Sequence, residues 1–238
     1  MPIHNIERDY FLRETASCLY FSRKYTMAAK LYIAAHNITP TTQTSICTGD
    51  ALLYSGQFDG AAKNYREAYE TSPDESNGAE ASLKIWLTAW VAGFYEKNAL
   101  SGTAILSNRS VWLSVIDQAL IEENYETALA AALTESFRVD DDEGLWADAM
   151  SFAFNTGDSQ LMLGTFSSAI WRCGYEVYAL FRKNLSNAGV PSDGLEMFDQ
   201  LADGLHEIRP STHTGGVTKR IIGLSHFDSI HEVTKKDE

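Results

Sequence analysis

Two stretches of the chain carry the same pattern of small and large residues. Residues 12–40 read LRETASCLYFSRKYTMAAKLYIAAHNITP, and residues 45–73 read SICTGDALLYSGQFDGAAKNYREAYETSP. Each position of the pattern recurs 33 residues later, from Leu12 to Ser45 and from Pro40 to Pro73. The matched positions are Leu12, Ala16, Leu19, Ala28, Tyr32, Ala35 and Pro40, followed by Ser45, Gly49, Leu52, Ala61, Tyr65, Ala68 and Pro73. A fixed period near this length predicts stacked supersecondary units rather than a globule with one central core.

The spacing inside each copy predicts two α-helices. The first three positions of the pattern are four and three residues apart, and so are the next three, as one face of a helix requires. Short turns at residues 23–25 and 56–58 separate the two helices, and the closing prolines end the second one. Small residues allow the helices to approach closely, while Tyr32 and Tyr65 fill the remaining space. Each copy is therefore predicted to be an antiparallel helical hairpin.

The two hairpins resemble the tetratricopeptide repeat (TPR) family. They share the small residue of the first helix, the alanine–aromatic–alanine series of the second helix and the closing proline. Leu12 and Ser45 stand where the family usually has an aromatic residue, so the signature is incomplete. The resemblance implies an all-α fold, a TPR-like α-solenoid of antiparallel helix pairs that forms a right-handed superhelix.

The period extends in weaker form over most of the chain. Residues 79–97 are richer in aromatic residues than a standard repeat helix, whereas Trp112 and Trp146, which are 34 residues apart, restore the period. We therefore expect a TPR-like helical repeat domain over residues 1–208, with an atypical third unit. The expected units are 8–40, 41–73, 74–108, 109–141, 142–174 and 175–208.

The chain ends with a linker and a C-terminal tail over residues 209–238. Before it, one apolar stripe predicts a helix that covers the open end of the stack. The stripe consists of Leu195, Phe198, Leu201 and Leu205. The tail over residues 211–238 has apolar residues at helical spacing, although part of it also permits a short strand. Two alternatives stay open: the tail packs back on the repeats, or it inserts into a neighbouring copy, giving a homo-oligomer, or into a partner.

The net charge of −13 lies entirely in the middle of the chain. Residues 74–210 carry eight basic and 21 acidic side chains, whereas both flanking segments are balanced. Such a field repels phosphate backbones, which argues against nucleic acid as the main ligand. It attracts basic segments of a protein partner. For most of these carboxylates the alternative is a surface that only solubilises the chain.

No sequence motif indicates catalysis, a cofactor or a metal site. The chain lacks a phosphate-binding loop, a G-x-S-x-G elbow, C-x-x-C and H-E-x-x-H. The acidic run over residues 140–143 departs from the calcium-loop pattern and is better explained as a helix start. His226 and His231 are five residues apart, which separates them on a helix. Cys18 and Cys47 are expected to be small packing or groove residues rather than nucleophiles.

The composition favours a cytoplasmic protein without a membrane span. No run of about 18 apolar residues is present, and the N-terminal sequence lacks the layout of a secretion signal. The three cysteines are an odd number and fall in helical patterns, which favours reduced thiols.

The resemblance also implies where a partner binds. In TPR proteins the first helices of successive pairs line a concave groove that holds extended peptides or helices. The groove residues implied here are Tyr10, Arg13, Ser17, Tyr20, Phe21, Gln43, Ile46, Asp50, Leu53 and Tyr54. Tyr20 and Tyr54 are the expected anchors, with packing between units as the alternative. The carboxylate clamp of chaperone adaptors is absent, since Ser17 and Cys47 stand where asparagine is needed.

We therefore expect a non-enzymatic protein–protein interaction module, which acts as a scaffold or adaptor or as a substrate-specific chaperone. Its partner is expected to be an extended peptide or an amphipathic helix with basic or apolar character, and no cofactor is expected. The competing hypothesis is an enzyme or a regulatory sensor built on a helical-repeat body, with active groups that the sequence does not reveal.

Overall fold

The computed structural model describes residues 3–72, 76–139, 142–191, 195–196, 198–200 and 202–203. All regular secondary structure in these residues is helical, which confirms the all-α prediction. The helices are α1 (Ile3–Phe21), α2 (Tyr25–His36), α3 (Thr42–Tyr54), α4 (Phe58–Thr71), α5 (Ser76–Lys97), α6 (Arg109–Ile121), α7 (Tyr125–Val139), α8 (Glu143–Thr156), α9 (Ser159–Cys173) and α10 (Tyr175–Asn187). Helical backbone is also present at residues 195–196, 198–200 and 202–203. No helix within these ranges is both long and apolar enough to cross a bilayer.

Consecutive helices pack against one another along the chain. α1 packs on α2, α2 on α3, α3 on α4 and α4 on α5, and the same order continues from α6 to α9. α10 packs on α8 and α9. Contacts over a longer range are made by α5, which packs on both α7 and α9. The helices therefore form neighbouring pairs, and the two halves of the chain meet through α5, α7 and α9.

The third unit has one helix instead of two. α5 contains 22 residues, and residues 98–108 after it form turns. Leu106 in this segment is fully buried, and its carbonyl accepts a hydrogen bond from Trp112 Nε1 at 3.4 Å. The segment thus packs into the core at the place where the second helix of a regular unit would begin.

The same turn follows α1, α3, α5, α6 and α10, but not α8. In each of these turns a backbone N–H donates to the carbonyl five residues earlier, as in a Schellman motif. The donors are Lys24, Gln57, Leu100, Asn124 and Val190. The residue before each donor is left-handed, with φ between 50° and 85°: Arg23, Gly56, Ala99, Glu123 and Gly189. Lys24 and Gln57 are separated by the period of the sequence pattern, so the local turn repeats with the pattern.

The small residues of the pattern lie where two helices approach each other. Ala16, Ala28 and Ala61 are fully buried. A β-carbon added at Gly49 would lie 2.4 Å from the ring of Tyr65, which is itself fully buried. The prediction that small residues bring the helices together and that Tyr65 fills the space between them is confirmed.

Aromatic side chains pack the C-terminal half. Trp112 and Trp146 are fully buried. Near α10, the Phe181 ring lies 4.8 Å from that of Phe166 and 5.6 Å from that of Phe198, measured between ring centroids. Within the predicted covering stripe, Leu195 and Phe198 are buried, whereas Leu201, Leu205 and residues 209–238 lie outside the described residues.

The left-handed turn residues give a test of this fold. At positive φ, a residue with a β-carbon lowers the stability of the fold by about 1–2 kcal/mol relative to an unstrained backbone. Replacing it with glycine recovers only part of this free energy, because glycine loses more conformational freedom when the chain folds. We expect Glu123→Gly to raise the free energy of unfolding by about 0.5–1 kcal/mol and Gly56→Ala to lower it by about 1 kcal/mol, measured by urea titration. Glu122, with φ −88°, is the matched control, and Glu122→Gly should destabilise the chain. Equal shifts for Glu122→Gly and Glu123→Gly would contradict the turn assignment.

The contact at Gly49 gives a second test. Gly49→Ala is expected to lower the free energy of unfolding by about 1–3 kcal/mol, because the buried Tyr65 ring cannot move away. Gly93, in α5, has nothing within 4 Å of an added β-carbon. Gly93→Ala should therefore stabilise the chain by about 0.5–1 kcal/mol through helix propensity. The thermal unfolding temperatures of the two variants test these expectations. If Gly49→Ala stabilises the chain, the helices are not closely packed at Gly49.

Candidate functional site

The predicted groove residues on α1 lie on an accessible face of that helix. Tyr10 and Phe21 are 61 % and 63 % exposed, while Ser17 and Tyr20 are partly buried. Arg13 is also accessible, and its guanidinium pairs with the buried carboxylate of Asp9 at 2.7 Å. The five α1 residues therefore include two large aromatic side chains that are open to solvent.

The predicted groove residues on α3 are mostly covered. Gln43 is exposed, and the Asp50 carboxylate keeps a small exposed fraction. Ile46, Leu53 and Tyr54 are buried and offer no surface to a partner in this structure. The expectation that Tyr54 anchors an open interface is therefore replaced by its stated alternative, packing between helices.

α7 contacts this face at Tyr54 and at Tyr20 of α1. Ile46 instead lies in a cluster with Ala68 of α4 and Ala81 of α5. The Tyr54 hydroxyl donates to the carbonyl of Thr134 at 2.7 Å, and the Tyr20 hydroxyl donates to the carbonyl of Phe137 at 3.4 Å. Every side chain from Ala128 to Phe137 is buried. The sequence itself indicates that α7 is an inner helix, because a helix without a polar face must be surrounded by protein. Glu135 is the one charged residue in that run, so the run could have been recognised as an inner helix.

A buried ionic cluster joins α3, α5 and α9. Lys84 Nζ lies 2.6 Å and 2.8 Å from the two carboxylate oxygens of Asp50 and 2.7 Å from Glu80. Arg172 pairs with Glu80 at 2.7 Å, and the hydroxyl of Tyr65 donates to Asp50 at 2.7 Å. Two cations thus face two anions, and Lys84 itself is 1 % exposed. We call these four charged residues the Lys84 cluster.

The Lys84 cluster holds Lys84 and Glu80 in their charged forms. Burial opposes the charge on Lys84, but Asp50 and Glu80 outweigh it and raise the pKa of the ammonium above its ordinary value. Burial likewise opposes the charge on Glu80, but Arg172 and Lys84 outweigh it and lower the pKa of Glu80 to about 2. A protonated lysine and an ionised glutamate that are locked together do not act as base or acid near neutral pH.

The ring of Phe137 adds a second contact for both cations. Lys84 Nζ lies 4.4 Å and the Arg172 guanidinium carbon 5.1 Å from the ring centroid. Both distances suit cation–π attraction. Because Phe137 belongs to α7, these contacts tie the inner helix to α5 and α9.

The structure gives Cys47 and Asp142 packing and capping roles. Burial, with Asp50 nearby, raises the pKa of the Cys47 thiol to about 11, so it stays protonated at neutral pH. Asp142 caps α8, since its side chain accepts from the N–H of Leu145 at 3.0 Å, which confirms the helix-start interpretation for this residue. Asp140, Asp141, His226 and His231 lie outside the described residues. Among those that are described, no group of three metal-ligating side chains converges.

The Lys84 cluster predicts a specific loss of stability. Lys84→Met leaves Asp50 and Glu80 without their shared cation, which typically costs about 3–5 kcal/mol. We expect that loss at pH 7 in urea unfolding. Lys63 is an exposed lysine on α4, and Lys63→Met should change stability by less than about 0.5 kcal/mol.

The same cluster makes stability depend on acid pH. The pKa of Glu80 is lower in the folded chain, so its stabilising effect is complete above about pH 4.3 and is lost as pH falls towards about 2. The acid-induced loss should be smaller in Lys84→Met than in the unmodified chain, because one of the two cations is gone. Equal stability of Lys84→Met and Lys63→Met at pH 7 would show that the cluster is not formed.

Comparison with known proteins adds no relative to this description. The chain matches no protein-family model, no curated protein and no solved structure. The TPR resemblance therefore stays a prediction drawn from the residues of the two hairpins.

Proposed function

We propose that this chain is a protein-binding module that holds a segment of a partner protein on the accessible face of α1. It serves as a scaffold or adaptor, or as a substrate-specific chaperone, in the cytoplasm. The partner segment is a short peptide or an amphipathic helix with apolar and basic side chains. The proposal concerns Tyr10, Arg13, Ser17, Tyr20 and Phe21, which we call the α1 surface.

The exposure of large aromatic side chains on α1 carries the proposal. Tyr10 and Phe21 are more than three-fifths exposed. They are eleven residues apart, which is close to three full turns, so they lie on one side of the helix about 16 Å from each other. Aromatic residues are enriched at binding hot spots, and the described part of the chain leaves both of these rings in water.

The charge and dimensions of the α1 surface define the partner. The distance from Tyr10 to Phe21 corresponds to about three helical turns or about five extended residues. Glu14 is exposed between them, whereas the net charge of −13 lies in residues 74–210, outside α1. The exposed rings therefore suit an apolar segment, and Glu14 offers an acidic partner to a basic side chain of that segment.

The packing of the chain supports a TPR-like right-handed superhelix as the framework of the module. The α1–α2, α3–α4 and α6–α7 hairpins have the same Schellman turn, and small residues occupy the same places in the first two. In the proposed superhelix α1, α3 and α5 form the inner wall, and α7 and α9 occupy much of the space that they enclose. The open part of the wall is then α1 with Gln43 and the edge of Asp50.

Co-purification from the native host tests the proposal. We expect the unmodified chain to retain a stoichiometric protein partner, and the double variant Tyr10→Ala/Phe21→Ala to lose it. Ile121 is 77 % exposed on α6, and Ile121→Ala is the matched control that should retain the partner. Folding of all three chains is checked by circular dichroism, because exposed side chains contribute little to stability. Capture of the same proteins by the double variant and the control would overturn the α1 assignment.

A further inference from the structure

A shallow surface cavity of about 500 Å³, widely open to solvent, is lined by three of the arginines of this acidic chain. It opens between the α1–α2 turn, the segment before α6 and the end of α7. Its polar lining comprises Arg23, Arg109, Arg138, Ser107, Asn108 and Ser110. No carboxylate belongs to this lining in the part of the chain that the structure describes.

The buried arginine of the cavity keeps an unused donor. The Arg138 side chain is nine-tenths buried, and its Nε donates to Glu135 at 2.9 Å. One terminal nitrogen, Nη2, also donates to Glu135. The other, Nη1, has no acceptor among the described residues. Because a guanidinium presents its donors in a fixed fork, the bond to Glu135 fixes the direction in which the free N–H groups point.

The other two arginines leave the cavity with a surplus of positive charge. Arg109 pairs with Asp142 at 2.5 Å and lies 3.9 Å from Glu135. Within the described ranges, Arg23 has no ion-pair partner. Among the described residues, the carboxylates that pair with these three guanidinium groups are those of Glu135 and Asp142, and neither lies in the lining. Counted over those residues, the cavity keeps one unpaired positive charge in a chain whose net charge is strongly negative.

Backbone donors add to this charge. α6 has 13 residues and begins at Arg109, and the N–H groups of Arg109 and Ser110 have no acceptor in the described part of the chain. The side chain of Asn108 makes no capping hydrogen bond to them. The positive end of the α6 dipole therefore adjoins the same space as the three guanidinium groups.

We propose that this cavity binds a phosphate group, either as inorganic phosphate or as a small phosphomonoester. Three guanidinium groups from three elements, with backbone N–H and hydroxyl donors between them, match a tetrahedral dianion with several acceptor oxygens. A planar carboxylate would leave part of this donor set unused. The volume of the cavity falls in the range of small-molecule sites. It is larger than a bare phosphate ion, so an organic group also fits. The proposal does not depend on a partner at the α1 surface.

Arg23 allows a test that separates binding from folding. Its φ of 60° suits glycine, so Arg23→Gly removes the cation without straining the turn. Lys24, the next residue, does not line the cavity, and Lys24→Gln removes one positive charge beside it. Arg109→Gln removes a second lining cation. Binding of inorganic phosphate and of O-phosphoserine is measured by calorimetry, with the ionic strength held constant by sodium chloride.

The expected results distinguish the site from general charge attraction. We expect the unmodified chain and Lys24→Gln to bind with equal affinity, and Arg23→Gly and Arg109→Gln to bind about tenfold more weakly, while urea unfolding shows Arg23→Gly to be folded. If O-phosphoserine binds more tightly than phosphate, the ligand is a phosphomonoester. If the two bind equally, the site recognises the phosphate group alone. Absence of binding at 10 mM, or unchanged affinity in Arg23→Gly, would overturn the proposal. So would an equal loss in Lys24→Gln.

Discussion

An α-helix with no polar face has to be surrounded by protein, and α7 is such a helix. From Ala128 to Phe137 its side chains are all buried. α6 and α8 cover it as sequence neighbours, while α5 covers it from the first half of the chain. The hydroxyls of Tyr20 and Tyr54 bond to its carbonyls near its C-terminal end. The burial of α7 therefore decides how the two halves of the chain meet, and how much inner surface is left.

The packing around α7 brings four charged side chains into the interior, and they pair with one another in the Lys84 cluster. Isolated buried charges are costly, but here two cations meet two anions at hydrogen-bonding distance. The bonds run from α3 to α5 and from α5 to α9. Apolar packing tolerates small sliding of one helix on another, whereas these bonds require one register, so the cluster also fixes how α3, α5 and α9 are aligned.

The sequence predicts the local architecture well, because a repeat period and helical spacing are local properties. The burial of Ala16, Ala28 and Ala61 and the close contact of Gly49 with Tyr65 follow from the pattern. The turns are harder to predict. A glycine after a helix indicates a left-handed turn residue, but here Arg23 and Glu123 occupy two of these positions.

The candidate site is only partly predictable for a different reason. A period shows which helices are sequence neighbours, but it does not show which distant helices meet. The positions on α1 and α3 look equivalent in the pattern, yet Ile46, Leu53 and Tyr54 are buried, Ile46 beside Ala68 and Ala81 and Tyr54 against α7, while Tyr10 and Phe21 stay open. The arginine cavity is unpredictable in the same sense, because Arg23, Arg109 and Arg138 are far apart in the sequence and carry no common motif.

The exposed aromatic side chains of α1 are informative because the described helices leave them uncovered. Large aromatic side chains are usually buried for most of their surface, where they contribute to the stability of the fold. α1 instead exposes Tyr10, Phe11 and Phe21, each more than 60 % accessible. Such side chains contribute nothing to the stability of the folded chain while they face water, and they favour association with other apolar surfaces. The proposed partner-binding role of α1 gives these side chains a purpose that the packing of the described helices does not.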